Sequence, residues 1–361
     1  MRAPMSGMID AEITRRLLDY LRAASDRPAL AYAEAPAPLT GGFDAAVFRF
    51  RLDDAPAPFA GPLVLRLFPG RGAPDRARRE SAVQNGLAAL GYPAPRVFAA
   101  TDDAAALGGA FLIMEHMAGR PLGTAFEGLR ASSLGQAVAL WSRLVRFRRD
   151  FLRLWGQAQV RLHELPVEPF LERLQNLGVA PKKLSFDTSV ADMGAAAAEY
   201  RLDGLSGVID WLAAERPRDA VAPVICHGDL QPFNVLVEDG RLTGIVDWVK
   251  TVVADPALDY GAVLAMLATV PIRAPPGLER PLRALMNHLA NAHAQQFRAA
   301  HPGRESALRY YQVFNCVVQL ITAARTRAAG KPHAYNSSAG VANLVRHIRR
   351  LTGASVHLPD S

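Results

Sequence analysis

The chain has 361 residues, half of them apolar, enough to bury a substantial core in two lobes. Its two cysteines, Cys226 and Cys316, exclude a disulfide framework and offer no metal-ligand spacing, which suits a reducing cytosol. The charged opening MRAPMSGMIDAEITRRLLDYLRAA has no signal-peptide core, no run reaches membrane-span length, and the net charge of +7 comes from scattered arginines, so a cytoplasmic protein without a nucleic-acid partner is expected.

A helix is predicted over roughly 9 to 24, followed by a Pro/Ala linker, AEAPAPL. GGFDAAVFRFRL and GPLVLRLF then alternate in the strand manner around the turn-rich DDAPAPFAG, an antiparallel hairpin. DRARRESAVQNGLAALG reads as a helix, with Asp75 as N-cap and Gly91 just past its end. RVFAAT and GAFLIMEHM read as two more strands. From Gly119 onward the pattern is helical, broken by the NVLVEDGRLTGIVDW hairpin. The expected class is α+β: a small β-rich lobe over 1–117 and a larger, mainly helical lobe over 118–361. Within the latter, Trp141, Leu144, Val145, Leu152 and Trp155 recur near helical spacing with Arg143, Arg146, Arg149 and Arg153 between them. A core-packing helix with a solvated arginine face is the reading, and His163 near its end is a packed histidine. A membrane-surface or nucleic-acid helix is the rarer alternative.

Chemistry concentrates in CHGDLQPFNVLV, residues 226–237. Asp239-Gly240 is a hairpin signal between VLV and LTGIVD. Pairing around that turn would place Asn234 and Asp247 nearly opposite, at the cross-strand spacing of about 5 Å. Two oxygen donors converging in this way suit Mg²⁺, which takes one or two protein ligands and completes its shell with water and phosphate oxygens. Asp229, five residues before Asn234, reaches the same opening and is the candidate general base. Each residue alone would pass as a turn-former; the set is what points to a function.

The string His-Gly-Asp-Leu-x-Pro-x-Asn, the hairpin, Ile-Val-Asp-Trp and DPALDYG together resemble the aminoglycoside phosphotransferase and choline kinase family, small-molecule relatives of the protein kinases. The resemblance implies a bilobal kinase-like fold and ATP-dependent transfer of a phosphoryl group to a small-molecule hydroxyl, with GTP as a possible donor and Mg²⁺ as the metal. By resemblance, Asp229 is the catalytic aspartate, Asn234 and Asp247 are the Mg²⁺ ligands, and His227 braces the catalytic loop. Asp259 would hold that loop's backbone from the following helix, and Asp255, beside Pro256, would shape the turn. Cys226 reads as a small buried residue.

The kinase pattern also wants a cation on the third strand and a Glu on the next helix. In LVLRLF, alternation puts Leu63, Leu65 and Leu67 on one face and Val64, Arg66 and Phe68 on the other. A buried Arg66 needs a partner, and Glu80 is the natural one. Lys is the family's usual residue here; Arg binds phosphate as a planar fork. LTGGFDAAVF stands where the phosphate-covering loop belongs, with Gly41 and Gly42 allowing close backbone approach. FLIMEHMAG resembles the strand leading to the hinge, where backbone groups of Glu115 and Met117 would meet adenine.

Gln231 stands where protein kinases carry a Lys, and the dozen residues between Asp247 and Asp259 leave no room for a peptide-binding activation segment. A small molecule is therefore the expected acceptor, either an antibiotic such as an aminoglycoside or macrolide, or a sugar or amino-alcohol metabolite. The helical lobe shows no dense acidic run, which favours a neutral or anionic alcohol. A nucleotide-binding pseudokinase serving as scaffold or sensor is the rival reading, supported by Arg66 alone. The pattern does not fix an oligomeric state.

Overall fold

The computed structural model describes residues 11–39, 45–68, 72–101, 104–127, 134–186, 189–218, 221–272, 278–356 and 358. They form two compact units. The first holds the described residues up to Gly119 together with Glu168–Lys183 and Thr243–Val249. The second holds Arg120–Val167, Leu184–Leu242 and the described residues from Lys250 onward.

The first unit opens with α1 (Ala11–Ser25), which buries Leu17 and Leu21. An antiparallel sheet follows in the spatial order β1-β2-β3-β5-β4, from β1 (Ala31–Pro38), β2 (Ala46–Asp53), β3 (Leu63–Leu67), β4 (Val97–Thr101) and β5 (Phe111–Glu115). The AEAPAPL stretch is thus an edge strand and not a linker. It pairs with β2 through two register irregularities, at the one place in a sheet where proline costs no ladder bond. Alternation along β3 holds as expected. Leu63 and Leu65 pack with Phe50, Phe111 and Ile113, while Val64 and Phe68 face Ala73 and Ala77 of α2 (Ala73–Ala89). Gly72, and not Asp75, occupies the N-cap of α2; Asp75 lies inside the first turn, where a carboxylate favours the helix dipole. Gly91, at φ +77°, follows the helix end as expected. A single turn, α3 (Ala104–Leu107), precedes β5.

In the second unit, β6 (Arg120–Pro121) precedes α4 (Leu134–Asp150), which runs through one π-helical turn, Phe151–Trp155, into α5 (Gly156–His163). Leu140, Leu144, Phe147, Phe151 and Trp155 form the buried stripe, whereas Trp141 is 66% and Val145 47% exposed. Of the five expected core positions only Leu144 and Trp155 are buried; Trp141, Val145 and Leu152 are exposed, and the true stripe is set by the phenylalanines. The next helix, α6 (Val167–Asn176), belongs to the first unit and packs Phe170 and Leu174 at Gly86 of α2. Two further helices, α7 (Ser189–Glu199) and α8 (Ser206–Ala214), lead to β7 (Val224–Cys226).

The hairpin of β8 (Val235–Glu238) and β9 (Arg241–Ile245) turns through Asp239 and Gly240, at φ +47° and +71°, as the Asp-Gly signal predicts. Strand β10 (Val252–Ala254) then pairs antiparallel with β7. Four helices complete the unit: α9 (Ala257–Thr269), α10 (Glu279–Ala300), α11 (Glu305–Ala328) and α12 (Ser338–Thr352). Tyr260, Leu264, Phe297, Tyr310, Phe314, Leu344 and Ile348 make their common core. Among the described residues no helix is long and apolar enough to cross a membrane.

Candidate active site

In the first unit, Arg66 and Glu80 meet as the strand alternation predicts. Arg66 Nη1 lies 3.0 Å from Glu80 Oε1, and both residues are buried. The second guanidinium nitrogen, Nη2, donates to Asp247 Oδ1 at 3.1 Å, so one planar fork spans two carboxylates. Gln84, one turn along α2, donates to Glu80 Oε1 at 2.9 Å. Glu80 Oε2 has no hydrogen-bond partner among the described residues. Burial leads the shift of the Glu80 carboxyl, and the neighbouring Asp247 charge adds to it. Arg66, Gln84 and Arg79 oppose them incompletely, leaving the group pushed up to about 7.

Asp247 follows β9 at φ +67°, a left-handed conformation rare for a residue with a side chain, and its side chain is 40% exposed. Arg79 donates to the carbonyl of Val249 in the same segment, and Trp248 Nε1 donates to the Ile245 carbonyl at 2.9 Å. These contacts fix the turn that carries Asp247. At the end of β5, the Glu115 N–H donates to the Arg96 carbonyl at 2.9 Å, which removes that group from the backbone contacts expected for adenine. Met117 packs on Gly244. Gly41 and Gly42 lie outside the described residues.

The second unit contains the catalytic-loop candidates. Asp259, in the first turn of α9, accepts the His227 N–H at 2.9 Å and the Gly228 N–H at 2.8 Å. His163, at the end of α5, places Nε2 3.2 Å from Asp259 Oδ2. Burial raises the Asp259 carboxyl, but the His163 hydrogen bond, the charges of His163 and His227 and the Gly228 N–H outweigh it and hold the group below its ordinary value. His227 is buried and its Nδ1 accepts the Asp229 N–H at 3.2 Å, which puts the ring proton of the neutral form on Nε2. Gly228 must be glycine: φ is +76°, and a Cβ would collide with the Lys250 carbonyl.

These contacts leave Asp229 presented at the tip of the loop, 24% exposed, with Oδ2 accepting from Lys250 Nζ at 2.9 Å. Asn234 is buried and donates Nδ2 to the Asp229 carbonyl at 2.9 Å, so the amide oxygen is the end left for a cation. Asp255 is more than a turn-shaper. It caps Ala257 N and receives both Arg304 Nη1 and Nη2, at 3.0 and 2.5 Å.

The donor atoms of His163, Cys226 and Asp259 also lie within 4.8 Å of one another. Both Asp259 oxygens already accept backbone N–H groups, however, and burial pushes the Cys226 thiol well up. Cys226 is the small buried residue expected from the sequence. Among hard oxygens that suit Mg²⁺, the first unit offers the Asp247 carboxylate and the second the Asn234 amide oxygen.

Sequence reasoning missed His163, Gln84, Lys250 and Arg304. Only Lys250 carried a local signal, as a cation three residues after Asp247 in a stretch that is otherwise apolar.

A model of the phosphotransferase enzyme family (APH) matches residues 36–307. The chain belongs to that family. Its fold is protein-kinase-like, as the sequence resemblance implied. A putative aminoglycoside phosphotransferase from Ralstonia eutropha superposes with a TM-score of 0.59 at 18% identity, covering 94% of this chain and 95% of that one. A thermostable mutant of aminoglycoside phosphotransferase APH(4)-Ia, in ternary complex with AMP-PNP and hygromycin B, superposes at 0.62 with 14% identity, covering 95% and 100%. Among curated proteins, acyl-CoA dehydrogenase family member 11 of Pongo abelii is 24% identical over 185 residues. That match takes in 50% of this chain but only 22% of the relative's length.

Proposed function

We propose that this phosphotransferase moves the γ-phosphoryl group of ATP, or GTP, to the hydroxyl of a small molecule. The observation that carries the reading is the catalytic loop. One buried carboxylate, Asp259, fixes two consecutive N–H groups, and Asn234 clamps the carbonyl of Asp229, so the loop is built to hold the Asp229 carboxylate in place.

In this reading Asp229 aligns the acceptor hydroxyl and takes its proton. The acceptor oxygen forms the new bond to the γ-phosphorus as the bond to the β,γ-bridging oxygen breaks, and ADP leaves. Asn234 and Asp247 would be the oxygen donors to Mg²⁺, whose charge would neutralise the phosphate oxygens. Arg66, positioned by Glu80, binds the α- and β-phosphates; Met117 and the Glu115 carbonyl meet adenine. Nucleotide use is supported by the AMP-PNP complex of the APH(4)-Ia relative.

A peptide acceptor is disfavoured by what fills the span from Asp247 to Asp259. The turn Trp248–Lys250, strand β10 and the start of α9 take up all of it but Thr251, Asp255 and Pro256. The test is the thermal midpoint with and without MgATP or MgGTP, in wild type and Asp247→Ala. A Mg²⁺-dependent rise absent from the variant is expected, because a ligand that binds only the native state stabilises it. No rise with either nucleotide at millimolar concentration would overturn the reading. A rise without ADP release on any acceptor, unchanged by Asp229→Ala, would move it to a pseudokinase.

A further inference from the structure

Asp247 sits at φ +67°, a conformation that a residue with a side chain keeps where its surroundings over-determine it. Several contacts within the first unit do so. The Ile245 N–H donates to the Pro93 carbonyl at 2.8 Å, and the fully buried Trp248 indole meets the Tyr92 ring edge-on with centroids 5.6 Å apart. Two more holds come from α2. Arg79 donates Nη1 to the Val249 carbonyl, two residues past Asp247. Glu80 reaches the same turn through Arg66, whose Nη2 donates to Asp247 Oδ1 at 3.1 Å. Consecutive residues of one helix thus act on one candidate metal ligand, the first on its backbone and the second on its side chain.

These two holds respond differently to a cation. A cation arriving at Asp247 competes with Arg66 for Oδ1 and repels its charge. Arg79 bonds to a backbone carbonyl instead, an acceptor for which neither a cation at Asp247 nor a nucleotide phosphate competes. It can keep the turn in shape while the side-chain hold is given up. Groups that orient a ligand without touching the metal set much of the metal's affinity.

Resting on the role proposed for Asp247, we propose that Arg79 is a positioning residue for the metal: through the Val249 carbonyl it holds the left-handed turn, and with it the Asp247 carboxylate, in the shape that a divalent cation requires. In this assignment Arg79 touches neither cation nor nucleotide. Its removal keeps the carboxylate but lets the turn relax toward ordinary backbone, so that binding must first re-form the site and loses affinity by the fraction of molecules in which the turn is out of shape.

The experiment reads the thermal midpoint of the full chain with ADP at millimolar concentration, once in excess MgCl₂ and once in EDTA. The difference between the two rises is the metal's share of binding and converts to an apparent affinity by mass action. In Arg79→Gln that share should fall about tenfold in affinity, the lower end of what partners behind a metal ligand cost, while the rise in EDTA stays as in wild type. Arg79→Lys, which keeps a donor on a different reach, should lie between the two. Leu174→Ala hollows the packing of α6 on α2 away from the turn; it should lower the protein's own midpoint and leave the metal's share unchanged. An unchanged share in Arg79→Gln, or in Arg79→Lys should the Gln variant not melt cooperatively, would overturn the proposal. So would an equal fall in Leu174→Ala, or a matching fall of the rise in EDTA. If wild type shows no rise under either condition, the phosphotransferase reading fails and takes the proposal with it. A wild-type rise no larger with MgCl₂ than in EDTA removes the metal from Asp247 and this role from Arg79. A normal Mg²⁺ response in wild type with any of the other failures counts against Arg79 alone.

Discussion

Glu80 in the first unit and Asp259 in the second are both withdrawn from water, at 1% and 0% exposure, yet they titrate in opposite directions. Burial disfavours both charges equally in kind. The difference lies in the donors aimed at each carboxylate. Asp259 receives two backbone N–H groups and the His163 imidazole, and stays ionised. Glu80 has Arg66 and Gln84 on one oxygen and, among the described residues, nothing hydrogen-bonded to the other, with the Asp247 charge close by. One carboxylate is a fixed anchor for a loop. The other shares its cation with Asp247.

The largest expected effect tests the anchor. Asp259→Ala strips the acceptor from two buried N–H groups and leaves His163 facing a void, a loss of about 3–5 kcal/mol. Urea denaturation should show it as a lower midpoint, and phosphoryl transfer should be lost with it. A cost under 1 kcal/mol would mean that the donors do not hold the loop, and the contrast with Glu80 would dissolve. Next in size is Gly228→Ala. A side chain at φ +76° that also strikes the Lys250 carbonyl costs roughly 1–3 kcal/mol. Because that substitution moves the N–H that Asp259 accepts, ADP release should fall further than stability does; unchanged turnover would show the loop to be more tolerant than its hydrogen bonds indicate.

What was legible in the sequence follows the same divide between local and distant causes. Arg66 and Glu80 could be paired on paper because strand alternation puts Arg66 on the face of Val64 and Phe68, and α2 follows at once. The Asp239-Gly240 turn could be read for the same reason. Asp259 was reached through the family resemblance, since nothing local marks it as an acceptor for residues 227 and 228. His163 was unreadable as its partner because 96 residues separate them, and a histidine at a helix end carries no sign of what it faces. Strand β1 was hidden by composition: alanine and proline argue against a strand, and pairing with β2 overrides them. Trp141 was misplaced because its apolar neighbours fit two helical faces, and only packing by Phe147 and Phe151 chose between them.

The smallest effect sharpens the comparison most, because it isolates one proton. A carboxyl raised on folding binds a proton that the unfolded chain has released. Its stabilising contribution is therefore present in acid and is lost as pH rises through the folded value, here about 7. Asp259 works with the opposite sign: its contribution is present above the ordinary carboxylate range and is lost only as pH falls through a still lower value. The two windows do not overlap, so a urea series from pH 5 to 8 sees Glu80 and not Asp259. Glu80→Gln keeps the shape and removes the titration. The stability of wild type minus that of Glu80→Gln should decline toward pH 7, by at most about 1.4 kcal/mol per pH unit, and level off above it. A difference that stays flat from pH 5 to 8 would mean that Arg66 keeps Glu80 fully ionised, so that a single guanidinium shared with Asp247 does for Glu80 what three hydrogen-bond donors do for Asp259.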